Sequence, residues 1–316
     1  MGSSDWRPQA SQSVRRLRAK VYRQIRLFFE QRDVLEVDTP ILSSSASTDP
    51  ELSHLYCDIN DINFYLQTSP EFAMKRLLAS GAGSIFQICR CFRGGEIGRH
   101  HCSEFVMLEW YRLDFSLQKL IQETSDLLQL WWPGRKVIHY RYRDILKART
   151  GLDYDASDLD DFRQYLGQKP GNISPALLAG ERDQLCDMIF AIDITPTLGF
   201  DSIAVLTGYP ASQAQFAKLN EAGNEALRFE IYFDGIELAN AYEELLDSKQ
   251  QSLRFSEQNK QRESLSRPPV NVDQNLISAL EQGLPQCSGI AMGIDRLLML
   301  IAGKSDINEI TEFPVS

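Results

Sequence analysis

Residues 92–111 constrain the fold most, because a loop rich in arginine, glycine and histidine lies between two apolar segments there. Arg93 and Arg99 carry rigid donor forks that match phosphate oxygens, and His101 adds a further donor. Glycine lets the backbone approach a ligand closely, and this loop contains Gly94, Gly95 and Gly98. The segment therefore predicts a strand, a loop that grips a polyanion, and a return strand.

The return strand has one face of mixed character. Phe105, Met107, Glu109 and Tyr111 alternate, so their side chains share that face. An aromatic ring followed by an acid and a tyrosine indicates a flat ring stacked at one end and an amine held at the other. The alternative for Phe105 and Met107 is ordinary core packing.

A second strand pair is predicted around Asp234-Gly235, the strongest short hairpin signal in the chain. A two-residue turn there pairs Tyr232 with Glu237. Glu230 and Glu237 then become diagonal neighbours on one face, about 7–8 Å apart at the backbone. Two such carboxylates suit Mg²⁺ together with substrate phosphates, and the alternative is a solvent-facing acidic pair.

Apolar periodicity predicts the remaining elements. Helices are expected over Ser13–Gln31 and Leu117–Trp132, and a further helix is expected to have Pro70 at its first position. Strands are expected over Val34–Leu42, where Pro40 permits only an edge or terminal position, and over Ile85–Phe92.

The C-terminal part predicts a phosphate site. Residues 289–301 form a glycine-bearing strand that runs into an apolar helix. A helix that begins near Gly293 directs backbone N–H groups and a positive dipole end at its N-terminus. Arg296, in the first turn, can then reach a terminal phosphate.

Composition narrows the class of partner. The 316 residues are 43% hydrophobic, which is enough for a full core, and no apolar stretch is long enough for a membrane span. The net charge of −10 favours a small-molecule substrate or a basic protein partner over a polynucleotide. Six cysteines without a C-x-x-C pair indicate reduced thiols in a cytoplasmic protein.

Several separated segments resemble the motifs of class II aminoacyl-tRNA synthetases, in the version carried by the lysyl enzymes. They are residues 68–71, 92–111, 237–245 and 289–296. The resemblance implies an α+β fold, with a class II synthetase-like catalytic domain built on a mostly antiparallel sheet flanked by helices. It implies one domain over residues 1–316. The acid-rich, glycine-interrupted stretch at about 140–200 is interpreted as a helical insertion, with a small independent domain as the alternative. The helix and strand before Ser43 resemble the motif that forms the dimer interface, so a homodimer is expected.

The resemblance also implies roles for individual residues, with ATP and Mg²⁺ as cofactors. Arg93 and Arg296 are the expected catalytic residues, and Glu230 and Glu237 are the expected Mg²⁺ ligands. The residues expected to bind ATP are Arg93, Gly95, Glu96, His101, Cys102, Phe105, Glu237, Leu238, Gly293 and Arg296. Those expected to bind the amino acid are Ser69, Pro70, Glu71, Glu109, Tyr111, Asn240, Glu244 and Ala291.

Within that set, Glu71 is expected at the ammonium near the carboxylate, and Asn240 at the carboxylate itself. Glu109, Tyr111 and Glu244 are expected at the distal ammonium.

Three details depart from the family pattern. Gly95 stands where an acid is often found, and Cys102-Ser103 replaces the usual Asn-Pro. Glu237 and Asn240 have opposite strand parity, so both can face one side only if a bulge lies between them, near Ala239.

Only about 33 residues precede the first motif, so we expect no anticodon-binding domain and no tRNA partner. The sequence resembles the elongation factor P–(R)-β-lysine ligases, which implies activation of β-lysine or lysine and transfer to a lysine ε-amine of elongation factor P. Ala291 stands where lysyl-tRNA synthetases usually carry glycine. We hypothesise that its methyl group biases the site toward the β-amino acid. Alternatives are a ligase with another acceptor and a silent sensor of lysine or nucleotide.

Overall fold

The computed structural model describes residues 6–95, 97–170 and 173–314. Its α-helices are α1 (Gln12–Glu30), α2 (Glu71–Ala79), α3 (Leu117–Leu128), α4 (Tyr142–Thr150), α5 (Leu159–Gly167), α6 (Pro175–Leu178), α7 (Arg182–Ile189), α8 (Ser248–Ser264), α9 (Gln274–Gly283) and α10 (Ile294–Ile301). Its strands are β1 (Leu35–Glu36), β2 (Leu42–Ser43), β3 (Tyr56–Ile59), β4 (Ile62–Leu66), β5 (Ile85–Phe92), β6 (Glu104–Leu113), β7 (Lys136–Arg141), β8 (Ser202–Pro210), β9 (Glu225–Phe233), β10 (Ile236–Glu243) and β11 (Cys287–Gly293).

Helix α1 follows the predicted apolar stripe. The Ser11 side chain caps its N-terminus by accepting the Val14 N–H at 3.3 Å. One face is buried, and the Phe29 ring on that face stacks on Phe86 of β5 with ring centroids 4.6 Å apart. Burial of that face against the sheet stabilises the helix more than its intrinsic propensity does.

The chain divides into two compact units, Met1–Phe115 with Leu245–Ser316, and Ser116–Glu244. In the first unit, β5, β6 and β11 pair antiparallel, and β1 runs parallel to β5 at the edge. Strands β2, β4 and β3 form a small separate antiparallel sheet in the same unit.

The predicted strand over Val34–Leu42 is wrong in its length. Only Leu35 and Glu36 pair with β5, and Leu42 and Ser43 belong to the other sheet. Between them the chain passes from one sheet to the other, through Pro40, which has no N–H to donate to a ladder. The edge position expected from the proline is confirmed.

In the second unit, β8, β9 and β10 pair antiparallel and β7 runs parallel to β8. Helix α4 packs on β8, and buried residues of α4, α5 and α7 share a hydrophobic core with β8 and β9. These helices lie in the region where the sequence predicts short helices. The Tyr142 ring, 1% exposed, stacks on Phe190 with centroids 4.1 Å apart in the centre of this core. The single-domain description of residues 1–316 stays a prediction.

The hairpin between β9 and β10 is confirmed. Asp234 and Gly235 both have positive φ, 47° and 75°, as the turn requires, and Tyr232 pairs with Glu237. The register shifts between Glu237 and Ala239, which is the bulge that strand parity predicted. The other predicted elements are also present. Helix α2 begins at Glu71, one residue later than expected, and α3 ends at Leu128, four residues earlier than expected.

These elements make the fold α+β, as predicted, with mostly antiparallel pairing and flanking helices. Among the described residues, no helix combines the length and the apolar character that a membrane crossing requires.

Candidate active site

The loop between β5 and β6 is closed by backbone hydrogen bonds. Arg93 N–H donates to the Ser103 carbonyl at 2.9 Å, and Gly98 N–H donates to the His101 carbonyl at 3.1 Å. Gly95 has φ +76°, a conformation that side-chain-bearing residues rarely adopt. The predicted ATP ligand Glu96 lies outside the described residues.

Arg93 and Phe105 come together where β5 and β6 meet this loop. The Arg93 guanidinium carbon lies 5.1 Å from the Phe105 ring centroid, within the range of a cation–π contact. Cys102, also predicted near ATP, is half-buried, and burial together with the nearby Asp295 carboxylate raises the pKa of its thiol. A planar charge beside an aromatic ring is an arrangement that can accept a nucleobase and its phosphates.

Arg296 lies in the first turn of α10, three residues after the N-cap Gly293. Its Nε donates to the His100 carbonyl at 3.2 Å, and its Nη2 lies 2.5 Å from His101 Nε2. Two of the predicted phosphate-binding side chains, Arg296 and His101, are therefore adjacent, at a helix end that favours anions.

A second group of predicted residues surrounds Glu109 in the middle of β6. The Glu109 side chain is 2% exposed. Ser69 Oγ donates to its Oε2, and the Tyr111 hydroxyl donates to its Oε1, both at 2.7 Å. Burial, and then the neighbouring Glu71 carboxylate, raise the pKa of Glu109 to about 8.

Glu71 is held in place from two sides. Its backbone N–H donates to Ser69 Oγ at 3.0 Å, and its carboxylate accepts from Lys75 Nζ at 2.6 Å. Lys75 is only 2% exposed, and sequence reasoning missed it. The available signal was its position four residues after Glu71 on a helix. We name Ser69, Glu71, Lys75, Glu109 and Tyr111 the acid cluster.

Strand register places two more residues beside Glu109. Gln87 of β5 is its direct partner on one side, and Ala291 of β11 on the other. Paired residues of an antiparallel ladder share a sheet face, so Gln87, Glu109 and Ala291 form a row across it. Sequence reasoning singled out Ala291 but missed Gln87.

In the second unit, the bulge aligns the predicted acidic face. Asn240 pairs with Glu230, and Glu237 pairs with Tyr232, so all four side chains share one face of the hairpin. Leu238, also predicted near ATP, is the extra residue of the bulge and is 2% exposed. Glu244, one residue past β10, is 1% exposed.

Arg228 organises this face, and sequence reasoning missed it. Its Nη2 donates to Glu230 Oε1, and the Tyr232 hydroxyl donates to Glu230 Oε2. Its Nε donates to Asn240 Oδ1 at 3.1 Å, which fixes the orientation of the Asn240 amide. The alternation of Arg228, Glu230 and Tyr232 along β9 was the signal that could have shown it.

These contacts bear on the predicted Mg²⁺ ligands. Both carboxylate oxygens of Glu230 already accept from protein donors, so Glu230 must use its remaining lone pairs or release a partner in order to bind a cation. No group of three or more metal-ligating side chains was found within the described ranges 6–95, 97–170 and 173–314. The Mg²⁺ assignment of Glu230 and Glu237 stays a prediction.

Fold and motifs together define the class of the protein. Residues 3–316 match the family model described as tRNA synthetases class II (D, K and N), and the chain belongs to this family.

Within that class, the chain is similar to proteins named elongation factor P–(R)-β-lysine ligase. The relative from Klebsiella pneumoniae (strain 342) is 39% identical over 321 residues, covering 99% of this chain and 98% of the relative. The relative from Proteus mirabilis (strain HI4320) is 38% identical over 320 residues, with the same coverage. The relative from Mannheimia succiniciproducens is 39% identical over 331 residues, with 98% of each chain covered. The resemblance stated from the motifs is thereby confirmed.

Proposed function

We propose that this chain is a ligase that activates (R)-β-lysine, or lysine, with ATP and transfers it to a lysine ε-amine of elongation factor P. The acceptor and the amino acid come from the names of the relatives. The observation that carries the proposal from the structure is the acid cluster, on the same strand as the Arg93–Phe105 contact.

The acid cluster suits a substrate that carries more than one ammonium. Glu109 is buried, and two hydroxyl groups hold its carboxylate in a fixed position. A buried carboxyl near a second acid is protonated more easily, and an arriving cation reverses that effect. An amino acid with an apolar side chain would leave the buried Glu109 carboxyl without a cation to pair with, so the cluster discriminates against it.

The phosphate side of the site is positively charged. Arg93 supplies a guanidinium beside the Phe105 ring, and Arg296 supplies another at the N-terminus of α10. Phe105 and Glu109 are four residue steps apart along β6, a distance of about 13 Å. That spacing allows an adenylate to extend along the face, with its base near Phe105 and its aminoacyl end near Glu109.

The reaction then needs two displacements. A carboxylate oxygen of the amino acid bonds to the α-phosphorus of ATP, and the bond between that phosphorus and the bridging oxygen breaks to release pyrophosphate. The amine nitrogen of the acceptor next bonds to the carbonyl carbon, AMP leaves with the oxygen, and the amine loses a proton. Arg93 and Arg296 stabilise the charge that develops on the phosphates.

When bound, Mg²⁺ neutralises phosphate charge during the first displacement. We propose Glu237 and Glu230 as the acids that hold it. The Arg228 contacts then keep the Glu230 carboxylate oriented.

Ala291 is the proposed determinant of the β-amino-acid preference. It lies directly opposite Glu109 in the β11–β6 register, which supports a position beside the substrate. One added methyl group in a small pocket changes the free-energy difference between two competing substrates by about 1–3 kcal/mol. Equal activation of lysine and β-lysine by both the native chain and Ala291→Gly would contradict this assignment.

We also propose a homodimer in a reducing compartment, the cytoplasm. Leu27 of α1 and Leu35 of β1 are 42% and 57% exposed, which supports an apolar contact through the first helix and strand. The six scattered cysteines, which include no C-x-x-C pair, support reducing conditions.

Amino-acid-dependent exchange of pyrophosphate into ATP tests the activation step. We expect exchange with β-lysine or lysine, and none with the analogue of the same chain length that lacks the distal amino group. Absence of exchange with every lysine isomer would contradict the proposal and favour a silent sensor.

A further inference from the structure

We propose that Gln87 is a further residue that recognises the substrate ammonium, by turning its amide against Thr39 so that its carbonyl oxygen faces the ammonium beside Glu109. The inference deepens the proposed function and rests on it. It adds a neutral acceptor to the acids of the acid cluster.

The starting observation is a buried amide of which only one end is engaged. Gln87 is 2% exposed, and Thr39 Oγ1 donates to its Oε1 at 3.0 Å. Its Nε2 is buried and has no hydrogen-bond partner among residues 6–95, 97–170 and 173–314. Buried polar groups are nearly always paired in folded proteins, so such a donor indicates a missing partner or a second orientation.

The position of Gln87 indicates what that partner is. It pairs directly with Glu109 in the β5–β6 register, and the two side chains share one face. An ammonium that approaches Glu109 presents three donors and no acceptor. It therefore needs carbonyl or carboxylate oxygens around it, and the NH₂ end of Gln87 cannot serve it.

A half-turn of the amide resolves the mismatch. The oxygen and nitrogen of a glutamine amide have nearly the same shape, so the turn needs no extra space. The Thr39 hydroxyl can accept as well as donate, so it can pair with Nε2 after the turn. Oε1 then becomes available to the ammonium, and both ends of the amide are satisfied in the loaded site.

The same geometry explains why a neutral residue is suitable. Glu71 and Glu109 already supply two acids, and Lys75 compensates Glu71. A third carboxylate would add repulsion within a buried cluster, whereas an amide oxygen adds an acceptor without charge.

The test compares binding of a diamine with binding of an analogue that lacks the distal amino group. Gln87→Met keeps the length of the side chain and removes both polar ends. We expect the dissociation constant and KM for lysine or β-lysine to rise about tenfold, with the kcat of pyrophosphate exchange nearly unchanged. The analogue is expected to bind the variant as weakly as it binds the native chain.

Two further variants keep the test independent of folding. Thr39→Val retains Gln87 but removes the acceptor for the turned amide, so we expect a rise of about threefold for the diamine alone. Gln258→Met is the matched control, because Thr48 Oγ1 donates to Gln258 Oε1 at 2.5 Å in a similar pair on helix α8. It is expected to leave diamine binding unchanged.

The outcomes separate this inference from the proposed function. If the native chain binds no diamine more tightly than the analogue, the proposed function fails. If the native chain prefers the diamine, and a folded Gln87→Met or Thr39→Val variant keeps that preference, the role of Gln87 is overturned.

Discussion

Asp295 Oδ2 accepts the backbone N–H of Val106 at 2.7 Å, and this bond ties helix α10 to strand β6. Strand β11 ends at Gly293, opposite Met107, so the ladder stops before Val106 and leaves its N–H for the carboxylate. The next residue of the helix is Arg296, and the preceding residue of the strand is Phe105. The bond therefore fixes the spacing between Phe105, proposed beside the adenine base, and Arg296, proposed at the phosphates.

Asp295→Ala is expected to raise the KM for ATP about tenfold, because Arg296 and Phe105 lose their shared anchor. Asp295 Oδ1 also accepts from Arg18 at 2.8 Å, so stability will fall as well. Arg18→Met is the control, because it removes that ion pair and keeps the Val106 bond. An equal rise in the KM for ATP in both variants would show that the anchor does not act on ATP.

The affinity for the diamine should depend on pH through Glu109. Burial and then Glu71 raise its pKa to about 8, so the free protein carries a protonated Glu109 at lower pH. An ammonium binds the ionised carboxylate, so the affinity rises as pH increases from about 6 to 8 and then levels. The expected slope is at most about tenfold per pH unit.

Glu109→Gln cannot ionise and serves as the control for that profile. It should bind lysine weakly at every pH, with a flat profile between pH 6 and 8. Calorimetric titrations across this range measure both proteins. A flat profile for the native chain would contradict the protonated state of Glu109.

Two glycines in the loop after Arg93 provide a matched comparison. A methyl group at Gly95 or Gly98 meets nothing within 4 Å, but only Gly95 has positive φ, +76°. Gly95→Ala should cost about 1–2 kcal/mol in the loop and raise the KM for ATP several-fold. Gly98→Ala should leave the KM for ATP nearly unchanged. Similar KM values for ATP in the two variants would contradict a role for the Gly95 conformation.

Arg228 should be a large contributor to stability. Its side chain is 11% exposed and pairs with Glu230, which is 9% exposed. Arg228→Met leaves a buried carboxylate without its counter-ion, which costs about 3–5 kcal/mol. Arg141→Met is the control, because the Arg141 side chain is 56% exposed and its ion pair with Glu225 is worth at most about 1 kcal/mol. Denaturant unfolding measures the free energy of unfolding of both variants. Equal losses of stability in Arg228→Met and Arg141→Met would contradict the role of Arg228.

Local patterns predicted much of the fold. An apolar run was enough to predict β5, and a two-residue turn signal was enough for the β9–β10 hairpin, because both signals depend on neighbouring residues. Strand parity alone predicted the bulge near Ala239. The predicted strand over Val34–Leu42 was too long, because the passage of this segment between two sheets is decided by tertiary pairing.

The chemistry of the site was predicted less completely. The acids Glu71 and Glu109 are recognisable as charged residues in apolar surroundings. Both also lie in segments that resemble the family motifs. Lys75 and Gln87 are ordinary residues in the sequence, and their importance comes from burial and from the β5–β6 register. Neither property follows from a local pattern.

The most direct test of the central claim is the intact mass of purified elongation factor P after incubation with this chain, ATP, Mg²⁺ and β-lysine, without tRNA. We predict a shift equal to one lysyl residue, which disappears when ATP is omitted and when Glu109→Gln replaces the native chain. An unchanged mass, in a preparation that catalyses pyrophosphate exchange with β-lysine, would contradict elongation factor P as the acceptor.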